Sequence, residues 1–399
     1  MNLTAKQQSM LAGESSFATR KAMEILVALG TIYDAERMIP VSSVQISGVS
    51  YDNLGEAGLQ FLDEMANGGA QTQVLTTLNP AGMDIENWKV LGISPDFANH
   101  QLQVINAFSR MGVITSCTCT PYLSGNLPHF GENIAWAESS AVCFANSVLG
   151  ARTNREGGPS ALAAALTGIT PEYGYHLEKN RASTLQFEIN TDLSETYRFG
   201  ALGMVIGRYI EKSGKKHVPF IRNIQAASLE ELKSFCASIA TFGGTSLFHM
   251  EGITPEACQY SPQIDPIPVS EEDIQNVLNE FTQDNSNPVD FVSLGCPHLS
   301  IKEISKIAEL LRGKKVTKSF WITTSRTTKK IADGMGYSRI IEESGAVFAV
   351  DTCCVVAPIQ GRFTTLVTDS AKACYYAGSK NHFKAIMMSF ENVVSEALR

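Results

Sequence analysis

Residues 289–295 read VDFVSLG, a short apolar run closed by glycine, and the segments that succeed it along the chain make it decisive for the fold. An amphipathic stretch comes next, SIKEISKIAELLRG at 300–313, then SFWITT at 319–324, RTTKKIADGMG at 326–336 and AVFAVD at 346–351, with LVTDSAKACYYAG at 366–378. Strand-length apolar runs alternating with helical periodicity are the pattern of a layered α/β domain with a largely parallel sheet. In such sheets ligands gather outside the carboxyl ends of the strands. The residues at those ends are GCPH (295–298), TSR (324–326) and DTCC (351–354).

The same alternation extends toward the N-terminus. Helices are expected at 17–30, 56–69 and 97–112, with strands at 41–47, 72–77 and, as VITSC, at 113–117. A long helix, ENIAWAESSAVCFANSVLG, is expected at 132–150. A second group runs from TLQFEIN (184–190) through helices at 197–212 and 228–243, with strands HVPFI (217–221) and TSLFHME (245–251). The proline-rich stretch at 252–270 is the best seam, dividing an N-terminal α/β region, 1–265, from a C-terminal α/β domain, 266–399.

Composition narrows the function. The 399 residues carry a net charge of -8 without a long Lys/Arg block, which argues against nucleic acid and against a polybasic membrane patch. No stretch is long and apolar enough to cross a bilayer, and the first thirty residues lack a signal-peptide core, so a cytoplasmic protein is expected. Nine cysteines are an odd number for a fully paired framework, and in a reducing compartment free thiols or metal ligands remain. The seven histidines show no HxxH, HxH or HExxH spacing, and neither a Walker A loop nor GxGxxG after a strand is present.

Three strand ends deliver cysteine: Cys119 in SCTCTPY, Cys296 in GCPH, and Cys353 with Cys354 in DTCC. Gathered by the fold, distant thiolates could hold one iron–sulfur cluster, although each taken singly reads more as a small core residue than as a ligand. In an extended segment Cys117 and Cys119 would point the same way, which makes Cys117 the neighbour expected to form a damaging disulfide if a cluster were lost.

GARTNREGGPSALAAALTG (150–168), TCTPY (118–122), IAWAESSAV (134–142), GVSYDNLG (48–55), TTLNPAG (76–82), GCPH and DTCCVVAP (351–358) together resemble the large subunit of the aconitase X family. The likeness covers essentially the whole chain. It implies an aconitase-like fold and a [4Fe-4S] cluster held by Cys119, Cys296 and Cys353, with one open iron. Cys117 lies outside the shared motif, Cys354 stands where relatives commonly carry methionine, and Ser16 stands where they usually carry glycine. The resemblance further implies a hydro-lyase whose base, a serine, comes from a small swivelling-domain subunit. Within the family the motifs are most similar to separate large subunits that dehydrate (R)-5-phosphomevalonate to its trans-anhydro product on an isoprenoid (mevalonate) route. The alternatives are a cis-3-hydroxy-L-proline dehydratase large subunit and a non-catalytic iron–sulfur protein.

Substrate-binding candidates come from the same motifs. Arg152 and Arg155 flank a turn into Gly157, Gly158 and Pro159, where guanidinium and backbone N–H groups suit an anion; a salt bridge with Glu156 or another acid explains the same letters. Ser50, Tyr51 and Asn79 come after strands, and Ser325 with Arg326 offers a phosphate contact at a third strand end. Glu138 is a candidate acid near the ligands, and His298 a hydrogen-bonding neighbour of Cys296.

Overall fold

A computed structural model describes residues 1–282 and 288–399. The first unit holds a short antiparallel pair, β1 (Met38–Pro40) with β5 (Ile169–Pro171), beside a parallel sheet of β2 (Ser43–Ile46), β3 (Leu75–Leu78) and β4 (Ala135–Trp136) in the order β3-β2-β4. Its core joins Val44, Ile46 and Leu78 to the helices Phe17–Ile32, Tyr51–Asn67, Pro95–Arg110 and the alanine-rich Gly158–Thr167.

Next comes a parallel sheet of β6 (Leu185–Asn190), β7 (Pro219–Arg222), β8 (His249–Met250) and β9 (Ile267–Ser270), ordered β8-β7-β6-β9. The strand β9 lies beyond the expected seam at 265, yet it pairs with β6 from before it. A third parallel sheet comprises β10 (Phe291–Leu294), β11 (Ser319–Thr324), β12 (Val347–Val350), β13 (Thr365–Thr368) and β14 (Lys384–Met387), ordered β12-β11-β10-β13-β14. Every strand of its middle is buried on both faces, as expected where helices cover both sides of a parallel sheet.

Two local expectations are corrected. The stretch 113–117 forms no strand, only a bridge between Ile114 and Thr77. The stretch 132–150 is not one helix: Ala135–Trp136 pairs with β2, and Glu138, whose carboxylate accepts from the Ala141 N–H, caps a helix that spans only Ser139–Ser147. An apolar run cannot by itself separate a buried strand from a buried helix, and the capping carboxylate decides where the helix starts. No helix of the described residues is long and apolar enough to cross a membrane.

Candidate active site

Three loops meet at the carboxyl ends of the first and third sheets. The Cys119 loop is tied to the end of β3 by the Thr118 N–H donating to the Leu78 carbonyl, 2.9 Å, and to β2 by Gln45 Nε2 donating to the Thr118 carbonyl, 3.0 Å. Cys296 lies just beyond β10, and Cys353 just beyond β12. His298 holds these loops together. Its ring lies 3.0 Å from Thr118 Oγ1 at Nδ1 and 2.9 Å from the Thr352 carbonyl at Nε2, and its backbone N–H donates to Cys119 Sγ at 3.2 Å. Burial pushes the imidazole's pKa down to about 4, so it is neutral at pH 7.

Exposure separates the five cysteines of these loops. Cys117 and Cys354 are 0% and 2% exposed, whereas Cys119 and Cys353 keep 8% and 6% and Cys296 is partly exposed. Burial raises the Cys119, Cys296 and Cys353 thiols, Cys296 to about 12, and Cys353 adds to the rise at both of the others because it lies close to each. Among the described residues no three His, Cys, Asp or Glu side chains are gathered as a single ion would need. An iron–sulfur cluster asks for something different, one soft thiolate per iron at separated corners. The three thiols fit that demand, with cations at hand to favour their ionised form: Lys372 acts on all three and Lys380 on Cys353.

The Lys372 ammonium donates to Glu138 Oε1 at 2.6 Å, and Glu138 also accepts from Ser140 Oγ and the Ala141 N–H, each at 2.6 Å. Burial acts to raise the Glu138 carboxyl, but Lys372 and these hydrogen bonds outweigh it and hold it below its ordinary value. For Lys372, burial acts to lower the ammonium and is outweighed by Glu138, Cys296 and Cys119, so its pKa rises. The pair is therefore charged, and Cys296 and Cys119 both act on its ammonium. Lys372 was missed in the sequence, although the strand-end rule applied to LVTDSAK would have found it just beyond β13. Ser370, on the same turn, acts to lower the Cys296 thiol.

The other candidates divide. Ser50 donates to the carbonyl of Val356, 3.4 Å, three residues past Cys353, and so lies against the Cys353 loop. Tyr51 does not: its ring stacks on His100 with centroids 4.6 Å apart and its hydroxyl turns to Glu56. Asn79 sits at the end of β3 with its buried Oδ1 unpaired. Ser325 caps a helix and meets Ser124, 3.0 Å away, which joins the Cys119 loop to the third sheet. Arg326 is committed to Asp84, Asp351 and Glu86, so the expected phosphate contact is replaced by an internal clasp. Arg152 is likewise turned to Glu178 at 3.6 Å and to the His176 carbonyl, with its Nε unpaired. Arg155 is exposed, and among the described residues it has neither ion pair nor hydrogen bond. Its neighbour Glu156 turns inward to Ser160 and Thr170, and the Glu156 N–H donates to the carbonyl of Trp136, the last residue of β4, so Arg155 lies in the chain beside the end of that strand.

Cys117 is corrected. Its φ of +43° breaks the extended run, so it does not share the direction of Cys119. The charges that act on it are Asp351 and Arg326, while those acting on Cys119 are Glu138, Cys353 and Lys372.

Comparison with known proteins places this arrangement. Family models described as the aconitase X first, second and third domains match residues 1–179, 183–279 and 289–399. The chain belongs to the aconitase X family, with its mixed α/β, aconitase-like fold. A crystal structure of Thermococcus kodakaraensis aconitase X in its holo-form superimposes with a TM-score of 0.92 at 42% identity, covering 100% of both chains. The phosphomevalonate dehydratase large subunit of Methanocaldococcus jannaschii is 46% identical across 95% of this chain and 96% of that protein. A cis-3-hydroxy-L-proline dehydratase of Hypocrea jecorina is 32% identical across 94% of this chain but only 65% of that protein.

Proposed function

We propose that this chain is the large subunit of a cytoplasmic hydro-lyase that converts (R)-5-phosphomevalonate to trans-anhydromevalonate 5-phosphate for isoprenoid synthesis. The single observation that carries the reading is the meeting of Cys119, Cys296 and Cys353 around His298 and the Glu138–Lys372 pair, in a chain alike over its full length to named phosphomevalonate dehydratase large subunits. Cys119, Cys296 and Cys353 would hold a [4Fe-4S] cluster with one open iron. Bound there, the cluster supplies Lewis acidity for a departing hydroxyl and an orienting hold on the substrate carboxylate.

This chain's own residues supply position and charge. Lys372 offers a fixed ammonium beside the thiols, kept in place by Glu138, where negative charge on a substrate carboxylate is stabilised. Ser50 and Asn79 present polar groups beyond the ends of β2 and β3, and the unpaired Asn79 oxygen would accept a hydrogen bond from a substrate hydroxyl. Arg155, exposed and uncommitted among the described residues, is assigned the phosphate, which a guanidinium grips at two points. No serine of this chain takes the role of base; a small swivelling-domain subunit brings it, and the chain alone turns over poorly.

The test is anaerobic reconstitution with the small subunit and ferrous iron, followed by parallel assays on mevalonate 5-phosphate and cis-3-hydroxy-L-proline. Dehydration of the phosphorylated acid alone is expected. Turnover of the proline alone would transfer the reading to that substrate, and turnover of neither would sink it.

A further inference from the structure

Donor and acceptor logic fixes how His298 is used. A carbonyl oxygen can only accept, so the 2.9 Å contact with Thr352 places the ring proton on Nε2. Nδ1 meets the Thr118 hydroxyl across 3.0 Å, a contact that either protonation state of the ring keeps. Thr118 Oγ1 in turn accepts from the Thr120 N–H at 3.1 Å, closing a tight loop around Cys119. The backbone of His298 is used as well. Its N–H bonds Cys119 Sγ, and its carbonyl accepts from Lys233 Nζ at 2.9 Å, an ammonium that also binds Glu303 at 2.7 Å. Lys233 is 2% exposed and lies on the helix Leu229–Gly243 of the middle unit.

One residue therefore touches the segments before two ligands from different sheets, bonds one ligand sulfur directly, stands two residues from the third ligand, and is itself held by the middle unit. We propose that His298 is the positioning residue of the cluster: it sets the spacing between Cys119 and Cys353, so that the three thiols hold a cluster tightly. Fixing neighbours of this kind governs how firmly a metal is held more than whether it enters. The inference rests on the cluster reading above and goes beyond it, since that reading would survive with His298 a passive core residue.

Thr118→Val is the decisive variant because it removes one hydroxyl, keeps the shape of the side chain and leaves His298 in place. The full chain is loaded anaerobically with ferrous iron and sulfide, then exposed to air well below its melting temperature while visible absorbance and bound iron are monitored. Thr118→Val is expected to load like the unmodified chain and to lose iron about 10-fold faster. Thr118→Ser, which restores a hydroxyl, should return the slow rate; Thr118→Val lowers the melting temperature of the iron-free chain because it leaves the Thr120 N–H and His298 Nδ1 unpaired, so both chains are compared well below their own melting temperatures. His298→Asn, which can reach Thr118 but not Thr352, should fail to hold a full complement of iron. Iron loss from Thr118→Val at the unmodified rate overturns the inference even if His298→Asn does not fold. An unmodified chain that takes up no iron would instead defeat the cluster reading beneath it.

Discussion

Five cysteines occupy the three strand-end loops, and their surroundings assign them different work. Cys354 is packed among Met83, Leu91, Trp321 and Phe383, and its raised thiol reflects that burial first. Cys117 is packed with Val44, Leu78 and Phe108 beneath the first sheet. Serine at Cys119, Cys296 or Cys353 should each abolish the cluster, because a hydroxyl is a poor substitute for a soft thiolate on iron. Serine at Cys117 or Cys354 should leave bound iron nearly intact and lower stability instead. Iron content after anaerobic loading is the measurement, and the opposite pattern would refute the ligand assignment. The sequence marked these three residues by their strand-end placement and family motif. It left Lys372 unmarked because a lysine in a helical first turn looks like solvated surface until Glu138, 234 residues away, is seen beside it.

Among the described elements, the helices Thr196–Ser213 and Leu229–Gly243 share the most extensive contact, and glycines bring them close. A Cβ on Gly203 would lie 2.9 Å from both the Ile239 nitrogen and the Phe235 oxygen, backbone atoms that cannot swing aside. Gly203→Ala thus sets a helix-propensity gain of about 1 kcal/mol against an overpacking cost of about 1–3 kcal/mol. Because backbone must move, the cost prevails: the variant should unfold at lower urea concentration, and an unchanged midpoint would count against this packing. Both helices are legible from their 3.6-residue periodicity, whereas their close approach is not, since it depends on which faces meet. The same limit explains the stretch 132–150, where buried apolar residues on all sides erase the period that separates β4 from the helix after it. In the third sheet β10, β11 and β12 are legible because amphipathic helices separate them, whereas β14 lies beyond the last run that the sequence pattern marks.

Across the whole molecule, the candidate site lies where separate units meet, so the clasps between units bear on it. Arg326, just past β11 in the third unit, donates at 2.9 Å to Asp84 of the first, while Asp351, two residues before Cys353, shares the same guanidinium. Both carboxylates are 1% exposed, and the Ala81 N–H of the first unit donates to the Asp351 carbonyl at 2.8 Å. Burial pushes the Asp351 carboxyl up to about 6 even though Arg326 opposes the rise, which shows how costly that charge would be without its partner. Arg326→Met keeps the side-chain stem and removes the cation, leaving two carboxylates to face each other. Loss of one partner from a buried pair costs about 3–5 kcal/mol, and a guanidinium that is 23% exposed argues for the lower part of that range. The iron-free chain should therefore melt well below the unmodified one. Adding Asp351→Asn should recover part of the loss, since one of the two orphaned charges is then gone. If the two substitutions instead destabilise additively, or Arg326→Met melts normally, then Arg326 does not clasp the units, and it becomes free again to be the phosphate ligand that its strand-end position first suggested.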